Sequence, residues 1–483
     1  VKNDQIVKHV FIFGAGSAGM ITYNALTNDT KTNIHVVGFI DDNSRKIGKK
    51  INLLPVYSLK QISPKIIKKL ATDEVIISVQ NIESNRLLEV STHLLSLNLK
   101  VKIVPPIQNW INGDLSVGQI KDINIEDLLG RTPINISNSA LTKEYENKTV
   151  LISGAAGSIG SEIIKNLINY RNIKLVLLDI AESPLYSLQQ DLNLLGVDKF
   201  VVVIADIKDH NRLENIFQEY KPDIVFHAAA YKHVPLMELN PYEAVRVNVC
   251  GTKNMANLSV AYNVNKFVLI STDKAVNPTN VMGATKRVAE KYTNTLFKSG
   301  ATIFIITRFG NVFGSSGSVV PIFNKQIKSG GPVTITHPDM ERYFMTITQA
   351  CELVLESGAM GNGGEIFMFD MGAPIRILDL ANQMIKAAGL MPEIEIKIEC
   401  IGLRPGEKLQ EDLITIHDVL MDTKHSQIRL VKSMNKNKNN FNKKEINVFL
   451  KQLTTLQEVE IVIEMKKIVP EFKSNHSIYS ALD

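Results

Sequence analysis

Apolar residues cluster along this chain in short blocks set between longer stretches of mixed polar and apolar character. A first group of blocks covers residues 9–13, 34–40, 74–79 and 101–104; a second covers 149–153, 174–178, 200–204, 223–227, 267–270 and 302–307. Blocks such as Val201-Val202-Val203-Ile204 and Phe267-Val268-Leu269-Ile270 are continuous rather than alternating, as a strand covered on both faces requires. The intervening stretches are long enough for helices. The pattern therefore predicts the α/β class, with two doubly wound, Rossmann-type parallel sheets in tandem. The break between them is expected near residues 127–139, where Leu128-Leu129-Gly130-Arg131-Thr132-Pro133 interrupts the alternation. This gives an accessory domain over 1–135 and a larger domain over 136–483. Past Gly310 the alternation dissolves into Gly- and Pro-rich connections, which predicts a small C-terminal lobe on the second sheet, drawn mainly from 310–335 and 365–430. Residues 443–483 read as helix packed away from the site.

Composition narrows this picture only a little. At 483 residues, 45% hydrophobic and 21% charged, the chain exceeds one domain and has room for about three lobes of roughly 150 residues. Its 28 glycines and 17 prolines are ordinary, which excludes collagen-like and low-complexity classes. No apolar run approaches the roughly 18 residues of a membrane span. A net charge of +5 is too weak to argue for nucleic acid. The basic stretch 429–444, interleaved with Asn, reads as a solvated loop, with contact to an acidic membrane surface as the sharper alternative. Cys250, Cys351 and Cys400 lie far apart, which suits a reducing compartment and offers neither a disulfide frame nor a metal site. The chain opens Val-Lys-Asn-Asp, without Met or a signal pattern, and reads as a segment of a longer protein.

Both groups of blocks open alike. The first block runs into Gly14-Ala-Gly16-Ser-Ala-Gly19, and the block 149–153 runs into Gly154-Ala-Ala-Gly157-Ser158-Ile159-Gly160, each before a helix-like stretch. A glycine turn in that setting brings phosphate to the backbone N–H groups of a helix N-terminus. Asp179 closes the next strand of the second group, in position for adenosine ribose hydroxyls, and the following Ile180, Ala181 and Glu182 offer no cation for a 2′-phosphate. NAD is therefore favoured over NADP. In the first group Asp41 and Asp42 close the corresponding strand, so a nucleotide could bind there too; glycines that merely permit close packing are the competing reading. No acid–base residues accompany that first loop, which marks the domain as a binding or assembly module.

A strand ending at Ser271-Thr272 runs into Asp273-Lys274-Ala-Val-Asn-Pro and then Met282-Gly-Ala-Thr-Lys286. Ligands of open sheets bind at that carboxyl edge, and a four-residue spacing puts Met282 and Lys286 on one helix face. On these residues, with the second glycine loop, Asp206-Ile207, Ala228-Ala229-Ala230 and Asn248, the second domain resembles an extended short-chain dehydrogenase/reductase, whose site is Ser/Thr with Tyr-x-x-x-Lys. Within that superfamily it is similar to the large bacterial nucleotide-sugar 4,6-dehydratases of the CapD, WbpM and PglF type. Those enzymes carry an extra N-terminal Rossmann domain, matched by residues 1–131, and the same Met in place of Tyr. A thioether exchanges no proton near neutrality, so the base for a C4 hydroxyl is left open.

The resemblance implies an NAD-dependent UDP-N-acetylglucosamine 4,6-dehydratase, a hydro-lyase yielding UDP-2-acetamido-2,6-dideoxy-4-hexulose for bacterial glycan or polysaccharide synthesis. Such a reaction oxidises C4, removes the C5 proton, expels the C6 hydroxyl and returns hydride to C6. By resemblance Lys274, with a suitably lowered pKa, takes the C5 proton, and Asp273 protonates the leaving oxygen. Thr272 holds the C4 oxygen, and Lys286 binds the nicotinamide ribose. The resemblance also implies dinucleotide contacts at Gly154, Gly157, Ser158, Ile159, Gly160, Asp179, Asp206, Ile207, Ala228, Ala229, Ala230 and Asn248. Nucleotide-sugar contacts are implied at Lys232, His233, Asn311, Arg342, Arg404 and Glu407. Alone, His233 would read as a structural histidine and Arg404–Glu407 as an exposed ion pair. Homo-oligomerisation through helices is implied, as is a membrane anchor ahead of this segment that would hold it at the cytoplasmic face of a bacterial inner membrane. Two other readings use the same loops. A nucleotide-sugar 4-epimerase would return hydride to C4 and has no use for Asp273-Lys274; a silent nucleotide-sugar sensor would have lost its base at Met282.

Overall fold

The computed structural model describes residues 7–29, 33–80, 82–105, 107, 110, 115–123, 139–297, 301–434 and 443–483. The break expected over residues 127–138 and the basic residues 435–442 lie outside the described residues. Contacts divide the chain into two compact units, one of Val1–Thr132, Phe323–Thr334 and Leu378–Glu399, the other of Pro133–Ile322, Ile335–Ile377 and Cys400–Asp483. Among the described residues no helix is long and apolar enough to cross a membrane.

In the first unit the strands are β1 (Lys8–Phe13), β2 (Ile34–Ile40), β3 (Lys50–Ile51), β4 (Leu54–Tyr57), β5 (Glu74–Ile77), β6 (Lys100–Ile103) and β7 (Lys121–Asp122). They lie in the order β3-β4-β2-β1-β5-β6-β7, parallel except for β3 and β7 at the edges. Central β1 buries Val10, Phe11 and Ile12 completely. The glycine turn follows β1 and opens the helix Ser17–Asn28.

The second unit carries β8 (Thr149–Ser153), β9 (Lys174–Asp179), β10 (Phe200–Ile204), β11 (Ile224–His227), β12 (Lys266–Ile270) and β13 (Ile303–Arg308). Their order is β10-β9-β8-β11-β12-β13, all parallel. Alternate residues feed two cores: Leu151 packs with Val176, Val225 and Phe267, whereas Val150 and Ile152 pack with Leu175, Phe226 and Val268 on the other face. Every observed strand of this set lies within two residues of its expected block. Glu365–Phe369 extends the sheet in parallel beside β13, and Ile428–Ser433 and Asp418–Asp422 add two antiparallel strands beyond it. Within 365–430, therefore, the segments Glu365–Phe369, Asp418–Asp422 and the start of Ile428–Ser433 belong to the sheet rather than to an appended lobe, and the remainder lies outside it. The helices Lys443–Gln452 and Glu458–Ile468 enter the core through Ile446, Phe449, Ile461 and Met465, and from Val469 the chain leaves helix for an irregular tail.

Strand order reverses between β8 and β11. In an open parallel sheet the loops leaving such a pair diverge to opposite faces and leave a crevice at the carboxyl ends.

Candidate active site

That crevice opens into a cleft of about 660 Å³ lined by residues of the second unit alone. At one end stands the glycine turn between β8 and the helix Ser158–Leu167. Gly154 has φ +71°, and a methyl on it would sit 2.6 Å from the Ala229 amide nitrogen. One on Gly160 would sit 2.1 Å from the Gly154 carbonyl oxygen. Both glycines are demanded by the packing of turn, helix and the chain after β11. Gly157 differs: a methyl there would meet only the Gly154 oxygen, at 3.2 Å, and the residue lines the cleft with Ser158, Ile159, Ala228 and Ala230. Its bare backbone leaves the positive end of the helix open to the cleft, where an anion is favoured. Asp179 accepts the Ala156 N–H at 2.9 Å on one oxygen and the Ala181 N–H at 2.9 Å on the other, so it fixes the turn it stands beside.

Behind the turn lies a residue that no sequence signal marked. His227 is fully buried, with Nδ1 2.7 Å from Ser153 Oγ and Nε2 2.9 Å from Thr252 Oγ1. Thr252 donates its own proton to the Asn248 carbonyl, so Nε2 donates and Nδ1 accepts from Ser153. Burial, helped by the Lys286 charge, pushes the ring down to about 3 and keeps it neutral. Three expected cofactor residues sit in this scaffold rather than on the cleft wall. Asn248 lies in a π-helical turn, Arg246–Gly251, where its amide exchanges hydrogen bonds with the Tyr231 backbone and donates to Thr285 Oγ1 at 3.0 Å. Asp206 accepts the Lys208 N–H, and Ile207 is buried against Gly251.

Toward the other end, β12 delivers Thr272, Asp273 and Lys274 in one tight turn. Thr272 Oγ1 caps the turn by accepting the Lys274 N–H at 3.3 Å and donates to Asp273 Oδ1 at 2.9 Å. Lys274 Nζ donates to Asp273 Oδ1 and to Asn311 Oδ1, both at 3.1 Å. Asp273 is only 1% exposed, yet its Oδ2 finds no hydrogen-bond partner among the described residues. Lys274 departs from expectation. Burial alone would push its amine down, but Asp273 and Glu411 outweigh that, against opposition from Arg342, so it sits above the usual lysine range. The lysine with a lowered pKa is Lys286: burial brings it to about 8, restrained by Glu290, and its Nζ donates to the Ile270 carbonyl at 2.7 Å. Met282 lies one helical turn before it on the cleft wall, 3% exposed.

Between the two ends run Lys232, His233 and Asn311 on the wall. Burial lowers both Lys232 and His233, and the neighbouring Lys232 and Arg404 charges lower His233 further. The charged side chains among the described lining residues are Lys232, Lys274 and Lys286, so the cleft favours an anion. A loop over 315–319 crosses it: the Ser316 N–H donates to Ser158 Oγ at 3.1 Å, and a methyl on Gly317 would press on the His233 ring at 2.4 Å. Arg404 and Glu407 lie outside the lining residues, where Arg404 donates twice to Glu407 Oε1 and is half exposed, its charge still felt by His233. Arg342 is buried outside the lining, its guanidinium donating to the carbonyls of Glu341, Lys408 and Leu409. It holds the 404–411 turn in place. Among the described residues no group of three or more His, Cys, Asp and Glu is placed to hold a metal.

Residues 150–433 match the family model described as "Polysaccharide biosynthesis protein". This chain belongs to that polysaccharide biosynthesis family. A second family model, "C2185-like, N-terminal", matches residues 6–105. The capsular polysaccharide biosynthesis protein CapD of Staphylococcus aureus is 42% identical over 85% of this chain and 69% of its own length. A UDP-glucose 4-epimerase of Rickettsia bellii is 34% identical over 57% of this chain and 80% of its own. The X-ray structure of Pen from Bacillus thuringiensis is 33% identical, with a TM-score of 0.56, over 64% of this chain and 99% of that one. In this polysaccharide biosynthesis protein every cleft-lining residue falls within the matched segment 150–433.

Proposed function

We propose that this protein is an NAD-dependent hydro-lyase that converts UDP-N-acetylglucosamine to its 4-keto-6-deoxy derivative. The observation that carries the reading is the Thr272-Asp273-Lys274 turn, where a hydroxyl, a carboxylate with one unpartnered oxygen and an amine meet at the end of β12. The glycine cradle at Gly154, Gly157 and Gly160 suits a dinucleotide pyrophosphate, and Asp179 beside it, with no cation next in the chain, suits NAD. NAD, when bound, supplies reversible hydride acceptance and return. Thr272 Oγ1 takes the C4 hydroxyl proton as it donates its own to Asp273, which supplies the base that Met282 cannot be. Asp273 then carries that proton on Oδ1, and a half-turn of the carboxyl group about Cβ–Cγ brings the protonated oxygen to the Oδ2 side, where it gives the proton to the departing C6 oxygen. Lys274, in its neutral form, takes the C5 proton that the new ketone acidifies, exchanges it with solvent and later gives a solvent-derived proton back to C5. Lys286 and the loop 315–319 orient the nucleotide, while Lys232 and Arg404 present positive charge to the diphosphate and His233, its pKa lowered, stands beside them as a neutral hydrogen-bonding ring.

The similarity to a UDP-glucose 4-epimerase favours a second reading, hydride return to C4 with inversion. Asp273 and Lys274 speak against it, because an epimerase expels no hydroxyl and takes no C5 proton. Incubating the protein with NAD and UDP-N-acetylglucosamine in D₂O, followed by NMR, separates the two. A new C6 methyl with deuterium at C5 is expected; an unlabelled 4-epimer, or no turnover, sinks the dehydratase.

A further inference from the structure

Glu411 reaches the site from the turn after Arg404, far from the catalytic segment in sequence. Its side chain is 5% exposed, and Oε1 lies 3.6 Å from Lys274 Nζ and 3.7 Å from Arg342 Nε. Nothing in that turn is loose. Arg342 binds the carbonyls of Lys408 and Leu409, the Glu341 N–H donates to the Leu409 carbonyl, and Lys408 Nζ donates to the carbonyls of Val276 and Asn277. Those contacts fold the turn around Arg342 and aim the Glu411 carboxylate at the catalytic amine. The charged groups that face Lys274 are Asp273 from its own turn, Arg342 from the strand Glu341–Arg342, and Glu411. Two anions and two cations make a neutral, nearly dry quartet.

We propose that Glu411 is a positioning residue that orients the Lys274 amine and stabilises its ammonium form. The inference rests on the reading of Lys274 as the C5 base. Taking the C5 proton turns a neutral amine into an ammonium inside a buried site, which is costly unless a fixed anion already stands beside it. Asp273 cannot serve continuously, because it carries the proton bound for the C6 oxygen and is neutral for part of the cycle. Glu411 lies outside that proton path, with Arg342 Nε 3.7 Å away. The Glu411 carboxylate favours the resting ammonium over the neutral amine that the reaction needs, so it helps set the pH at which the base becomes available.

Replacing Glu411 by Gln keeps shape and removes charge. The ammonium loses an anion, so the Lys274 pKa falls and the acidic limb of the kcat–pH profile moves about one unit lower. The plateau drops by about tenfold, as one charge stabilising the transition state is lost, while KM changes little. Glu411→Asp, which restores the charge one methylene further back, returns the limb toward its original pH; a limb displaced as far as in Gln overturns the charge role. Lys274 is followed directly by NMR of protein labelled at lysine Nζ, its resonance assigned by its loss in Lys274→Met. A lower Nζ titration in Glu411→Gln than in the unaltered protein supports the coupling whatever reaction the protein catalyses, and an identical titration refutes it. A protein that shows the coupling but never dehydrates the sugar refutes the dehydratase reading instead. Should Glu411→Gln fail to fold, Glu411→Asn, which also removes the charge, carries the same two measurements.

Discussion

Asp273 is a buried carboxylate with one oxygen committed to Thr272 and Lys274 and the other to nothing in the protein among the described residues. An unpaired buried oxygen of this kind costs stability and persists where a ligand completes it. Gly310 packs against that oxygen. A methyl on it would lie 3.0 Å from Asp273 Oδ2, 3.1 Å from Met371 Cε and 3.1 Å from the Tyr343 carbonyl oxygen, so any side chain there would press on the carboxylate. Gly310→Ala is expected to shift Asp273 by a few tenths of an ångström and lower kcat by about tenfold, since small misplacements at a reacting group are expensive. Thermal stability should barely move. Steady-state kinetics beside a melting curve check this: an unchanged kcat would show that Oδ2 does not face the reacting bond, and a large drop in melting temperature would assign the loss to packing.

At the scale of elements, the site depends on the ends of β12 and β13 being held level. The pin between them is ionic. Arg308 at the end of β13 donates to both oxygens of Glu290 (2.7 and 2.6 Å), and Glu290 also accepts from Ser271 Oγ at 2.7 Å, next to Thr272. Glu290 and Lys286 lie one turn apart on the helix Val281–Phe297, so one carboxylate ties helix and both strands together. Despite complete burial, Arg308 and then Arg287, with the Ser271 bond, hold Glu290 down to about 2. A depressed carboxylate stabilises the fold above its unfolded pKa of about 4.3, and that contribution is lost as pH falls toward 2. Glu290→Gln should therefore cost about 3–5 kcal/mol at pH 7 by leaving Arg308 buried and unpaired, and the gap should narrow between roughly pH 4.5 and 2. Denaturant melts across that range check it; a constant gap would mean that the ion pair is not what the variant lost. This network also shows where sequence reading stops. The parallel strands were legible because burial on both faces makes them continuously apolar. Glu365–Phe369 was hidden behind Gly361-Asn362-Gly363-Gly364, which reads as a turn, and the antiparallel strands at the edge are mostly exposed or half-buried, so they form no continuous apolar block. Thr272, Asp273 and Lys274 were legible because they adjoin in sequence. Glu290, Arg308 and Glu411 were not, because only the fold brings them to that turn.

Over the whole second unit, the chain's last residues close back on the loops that frame the cleft. The Lys473 N–H donates to the Pro278 carbonyl at 3.1 Å and the Asn475 N–H to that of Thr279 at 3.2 Å, just ahead of the helix bearing Met282 and Lys286. The Gly406 N–H donates to the Asn475 carbonyl at 2.9 Å, so the same tail holds the turn that carries Arg404 and Glu407. Ser477 hydrogen-bonds Glu238, whose other oxygen accepts the Val281 N–H at 2.6 Å and thereby caps that helix. Tyr479, 2% exposed, anchors the strap in the core. None of these groups touches the cleft, so their loss should act through geometry alone. Deleting residues 473–483 removes several buried hydrogen bonds and one aromatic anchor, worth about 3–5 kcal/mol together. The sheets should persist in far-UV circular dichroism, because their cores lie elsewhere. What should fail is the Arg404 turn: under the proposed function its release should raise KM for the UDP-sugar by about tenfold, more than the fall in kcat, while affinity for NAD, proposed to bind at the glycine turn, stays near its original value. Titrating both ligands against the shortened chain decides the matter. Equal losses of both would mean that the tail supports the fold at large rather than the sugar-nucleotide end of the site.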